Sequence, residues 1–127
     1  MHPQLQRALD VVLRDLRATK APVPRLTDEQ WSGDPGTETA MLWSEDGSGA
    51  GVFVLVDEPA ADQLTRVADT VHDWVLDELR GTSATNWPPC PRHPGTHPLE
   101  VATGTNGEPA WTCPRDGTPV CRIGELG

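Results

Sequence analysis

Cys90-Pro91-Arg92-His93-Pro94-Gly95-Thr96-His97-Pro98-Leu99, and further on Trp111-Thr112-Cys113-Pro114-Arg115-Asp116-Gly117-Thr118-Pro119-Val120-Cys121, hold all three cysteines of the chain and two of its four histidines. Thiolates and imidazoles gathered on two turn-forming segments suit a tetrahedral zinc ion. The segments share a Cys-Pro-Arg-X core, each with a glycine close behind (Gly95, Gly117). Two intervening residues let both side chains of a tight turn point at one ion, while N–H groups inside the turn donate to the thiolate. The glycine permits the left-handed backbone that closes such a turn.

Between and after the turns, Leu99 to Thr103 reads as a strand, Gly104-Thr105-Asn106-Gly107 as a turn, Pro109 to Thr112 as the returning strand, and Val120 to Ile123 as a third. Cys90, His93 and Cys113 are the expected metal ligands. Three residues compete for the fourth place. His97 stands four residues after His93 and comes first. Asp116 occupies in the second turn the place that His93 holds in the first, but a carboxylate is a less usual ligand at a structural zinc. Cys121 would have to reach back from the third strand. Each has a plainer reading: Asp116-Gly117 as a turn pair, His97 as a surface residue, Cys121 as a small buried side chain or a disulfide partner of Cys113.

The paired turns resemble the knuckles of zinc-ribbon proteins, in which a Cys-Pro-X-Cys-Gly turn supplies two ligands from each of two hairpins. The resemblance covers about residues 87 to 125 and implies a small β module built around zinc. It departs from the four-cysteine pattern at His93 and Asp116. The tail is also similar to that of small actinobacterial-type proteins ending in Trp-Pro-X-Cys-Pro…His-Pro-Leu…Trp-X-Cys-Pro, a likeness that implies no activity.

The remainder of the chain reads as an α+β unit. Leu5, Leu9, Val12, Leu13 and Leu16 recur at helical spacing over residues 3 to 19, with Pro3 in the first turn and Pro22 and Pro24 beyond the end. Thr27-Asp28-Glu29-Gln30-Trp31 has a capping-box pattern that predicts a single helical turn. Thr37 to Ser44 and Val52 to Val56 read as two strands joined by a glycine-rich hairpin. That hairpin leads from strand to strand rather than into a helix, which argues against a phosphate cradle. Leu64, Val67, Val71, Trp74, Val75 and Leu79 predict a second helix over residues 59 to 80, closed by Gly81, with an Asp62–Arg66 pair one turn apart. Its acidic residues Asp69, Asp73, Asp77 and Glu78 read as a solvated face. The expected architecture is thus an N-terminal α-β-β-α domain (1–81), a polar and proline-stiffened linker (82–89) with Trp87 packed against a neighbour, and a zinc-ribbon-like module (90–127).

Composition narrows the functional classes. The chain has 127 residues, 36% of them hydrophobic, with 12 Gly, 13 Pro and 5 Trp. So lean a core gains from a metal staple, because binding free energy becomes folding free energy. A net charge of −9 weighs against nucleic-acid binding, which draws on Lys and Arg for the phosphates. No apolar stretch approaches a bilayer span, and the N-terminal residues lack a basic segment leading into an apolar one, so a cytoplasmic protein is expected. In that reducing compartment, clustered cysteines read as metal ligands.

Catalytic signatures are missing. There is no His-X-Glu to accompany Pro89-Cys90 in the manner of a nucleobase deaminase, no His-Glu-X-X-His and no Gly-X-Ser-X-Gly. The sequence therefore predicts a non-enzymatic, zinc-binding adaptor or regulatory protein with another protein as its partner, rather than one acting on a small-molecule substrate. One alternative is a nucleic-acid-associated ribbon using Trp87, Trp111, Arg92, Arg115 and Arg122. Another is a small zinc hydrolase in which His97 or Asp116 gives way to water.

Overall fold

A computed structural model describes residues 1–82, 85–104 and 106–127. It contains two helices and two three-stranded antiparallel sheets. Helix α1 (Pro3–Ala18) starts with Pro3, which has no N–H to lose, and the His2 ring accepts a hydrogen bond from the Gln4 N–H at 3.1 Å. Leu5, Leu9, Val12, Leu13 and Leu16 are buried, as their spacing requires. Burial of each contributes about 1.5–3 kcal/mol relative to exposure.

The first sheet has one more strand than expected. Arg25–Thr27 forms β1, which pairs with β2 (Thr37–Trp43), itself paired with β3 (Gly49–Leu55). The Thr27 hydroxyl does meet the Glu29 carboxylate, but no helical turn follows; Trp31 and Glu29 instead bond to the Thr39 hydroxyl on the sheet's outer face. The expected α-β-β-α order becomes α-β-β-β-α because extended strand hydrogen bonding competes successfully with a three-residue capping pattern.

The glycines of the presumed hairpin loop also have a different use. β3 begins at Gly49, and a Cβ on Gly51 would come within 2.9 Å of the Trp31 ring. Gly49 likewise leaves room for Trp43, which lies across the strand from it. They are seats for indoles.

Helix α2 (Ala60–Leu79) ends before Gly81, whose φ is +85°. Val67, Val71, Trp74 and Val75 are buried, and so is His72. Arg66 does not favour Asp62 as its main partner. It pairs with Glu58 (2.6 Å) and stacks on Phe53 (4.8 Å to the ring centroid), where a flat guanidinium gains both charge and ring contact. The linker reading falls partly on Ser83 and Ala84, and the Gly104–Gly107 turn partly on Thr105; these three lie outside the described residues.

The second sheet comprises β4 (Glu100–Thr103), β5 (Pro109–Thr112) and β6 (Pro119–Arg122), with β5 central. β5 is buried along its length, between β4 and β6 and against α2. One hydrophobic cluster runs from α1 and the first sheet through α2 to Trp87, Leu99, Trp111, Cys113 and Ile123.

A buried carboxylate joins the two ends of the chain. Asp15, on the inner face of α1, has no exposed surface and accepts hydrogen bonds from the Trp111 indole (2.8 Å), the Gly124 N–H (2.6 Å) and the Leu126 N–H (2.9 Å). A carboxylate taken from water must be repaid by such donors. Asp15→Ala would strand three donors, so we expect a loss of about 3 kcal/mol or more in urea unfolding. Wild-type stability in that variant would show that the tail is held by other contacts.

Candidate metal centre

Two segments deliver the four side chains. In the first, the chain on either side of the turn runs antiparallel: the Leu99 N–H donates to the Pro88 carbonyl at 2.7 Å and the Cys90 N–H to the His97 carbonyl at 3.4 Å. In the second, the Cys113 N–H donates to the Thr118 carbonyl (2.9 Å) and the Gly117 N–H to the Cys113 carbonyl (2.8 Å), with Gly117 at φ +75°. Both turns therefore fold back on themselves and push their side chains toward each other.

Cys90, His93, His97 and Cys113 meet there, with one donor atom from each lying within 4.8 Å of all the others. This group could hold a metal ion. His93 Nδ1 is 3.6 Å from Cys90 Sγ and 3.4 Å from Cys113 Sγ; His97 Nε2 is 4.0 Å from Cys113 Sγ and 3.3 Å from His93 Nδ1. A tetrahedral zinc with bonds of about 2.3 Å to sulfur and about 2.0 Å to nitrogen has S···N edges of about 3.5 Å and an N···N edge of about 3.3 Å. The two His93–sulfur separations and the His93–His97 separation fall close to those edges, while His97 Nε2 stands about 0.5 Å farther from Cys113 Sγ than an edge requires.

Protonation agrees with ligation. His97 Nδ1 lies 3.1 Å from the Pro98 carbonyl, which can only accept, so the proton sits on Nδ1 and the Nε2 lone pair faces the cluster. Cys90 and Cys113 are buried while His93 and His97 are partly exposed. Burial pushes the Cys113 thiol up, and the backbone N–H groups of Asp116 and Arg115 pull against that, as expected of a turn that stabilises sulfur charge.

Asp116 and Cys121 lie outside the group. Hydrogen bonds from Thr118 hold the Asp116 carboxyl well below the usual carboxylate range, and Arg92 reaches its other oxygen at 3.0 Å. Cys121 sits on β6 opposite Trp111, its thiol pushed up by burial and by the nearby Asp15 and Glu125 carboxylates. All three cysteines are free thiols, so the Cys113–Cys121 disulfide is not formed.

The sequence reading missed what holds the turns in place. Trp87, three residues before Cys90, accepts at its carbonyl from His72 Nε2 (2.9 Å), and its indole donates to the Thr19 hydroxyl (3.0 Å). Trp111, two residues before Cys113, is held by Asp15. The two indoles meet edge-to-face, centroids 5.4 Å apart, with the His72 ring 5.3 Å from Trp111. Asp15 and His72 were legible only as polar residues falling on otherwise apolar helix faces.

No family model, curated protein or solved structure matches the chain.

Burial pushes the His72 pKa down, so the folded ring is neutral where the unfolded ring, with a pKa of about 6.5, takes a proton. Its contribution is fully present above that value and fades as pH falls. We expect wild-type stability to drop more steeply between about pH 7.5 and 5.5 than that of His72→Phe in zinc-saturated chemical unfolding. Parallel profiles would remove His72 from the pH response.

Proposed function

We propose that the chain is a zinc-binding protein in which a closed Cys2His2 centre fixes a C-terminal ribbon-like module, and that it acts as a non-enzymatic adaptor or regulatory protein through contact with another protein. The observation that carries the reading is the match between donor separations and tetrahedral zinc edges, made by two sulfurs and two nitrogens. Four protein ligands leave no place for water, whereas catalytic zinc keeps one. Asp116, the carboxylate beside Cys113 that could have served as a base, is committed to Thr118 and Arg92.

The nucleic-acid reading is the weaker one. Trp87 and Trp111 are buried and present no face for base stacking, and Arg92 and Arg122 are paired with Asp116 and Glu108. Among the described residues, no helix is long and apolar enough to cross a membrane.

Purified protein should contain about one zinc per chain by elemental analysis, and chelation should unfold the segment carrying both turns, since metal binding is folding free energy. Cys113→Ser and His97→Ala should lose stoichiometric zinc, whereas Cys121→Ser should keep it. A folded, metal-free wild-type protein would contradict the proposal, and zinc-dependent turnover of a substrate would contradict its non-enzymatic part.

A further inference from the structure

Asp116 stands where turn symmetry would place a ligand, and the structure gives it other partners. One carboxylate oxygen accepts from the Thr118 N–H at 2.9 Å, closing its own turn. The other receives Arg92, from the opposite turn, with Nε and a terminal nitrogen each at 3.0 Å. Arg92 lies between Cys90 and His93 in sequence, and Asp116 lies three residues after Cys113. The ion pair therefore ties the two halves of the ligand set together, and the Asp116 carboxylate also meets the Cys113 thiol.

We infer that Arg92 and Asp116 form an inter-turn clasp, positioning residues that set how fast the proposed centre gives up its metal. This rests on the zinc reading and adds to it. The donors are divided between the turns, three from the first and Cys113 from the second, so moving the turns apart would open the set and speed release. The clasp spans that same opening. Separating the turns must break it, so it retards release although neither residue belongs to the four-donor group. Both side chains are partly exposed, 50% for Arg92 and 33% for Asp116, so the effect is modest and screened by salt. The function it implies is retention: a centre made to keep its ion rather than to pass it on.

The test loads full-length protein with zinc and follows transfer to a chromogenic pyridylazo chelator. Circular dichroism of each loaded variant checks that it is folded. Arg92→Ala should release zinc about two- to fivefold faster than wild type at low salt, and Arg92→Lys should fall between them. Asp116→Asn keeps an acceptor for Thr118 and removes the charge. It should also speed release, and the double variant should be no faster than Arg92→Ala. At about 1 M salt the differences should collapse.

Wild-type release rates in the single variants, or multiplying effects in the double, would overturn the clasp while leaving the zinc centre standing. A wild-type chain that takes up no stoichiometric zinc would overturn both.

Discussion

The Asp15 carboxylate is the constraint from which the tertiary arrangement follows. It sits on the inner face of the first helix; beside the neighbouring Arg14 guanidinium, three further donors come from the last seventeen residues of the chain. A buried carboxylate with those partners is far better satisfied than one without them. Once Trp111 is bound to it, Cys113 has a fixed position two residues away. His72 does the matching task on the second helix by holding the Trp87 carbonyl, which places Cys90. The helices thus bring one cysteine each to a common point, and the indoles pack against each other beneath it.

This arrangement changes how the C-terminal segment should be understood. The groups that support its two turns are on α1 and α2, and the hydrophobic cluster is continuous across the chain. A short β module of this size would have little core of its own. Here α2 touches β3, β4 and β5, so both sheets share its apolar surface. The proposed zinc and these supports would then act together on the same two turns, whose donors lie within 4.8 Å of one another.

Much of this was legible from the sequence where periodicity or motif spacing carried the signal. The apolar faces of both helices, the β2–β3 hairpin, the strands after Leu99 and the four donors follow from such local patterns. What was not legible depends on pairs far apart in sequence. β1 is three residues long and exists because β2 lies beside it. Gly51 resembles a loop glycine until the Trp31 ring is placed over it. Nothing local marks Asp15 for its role, which depends on Trp111 lying 96 residues away, and the partner of Asp116 is Arg92 from the other turn. Turn symmetry made Asp116 a candidate behind His97, and its carboxylate is instead satisfied by Thr118 and Arg92.

The central claim is that two sulfurs and two imidazole nitrogens close around one zinc ion. X-ray absorption at the zinc edge of the purified, loaded protein tests it most directly. The account predicts a four-atom shell of two sulfurs at about 2.3 Å and two nitrogens at about 2.0 Å, with imidazole outer-shell scattering. A shell with a third sulfur, or one of oxygen and nitrogen alone, would contradict it.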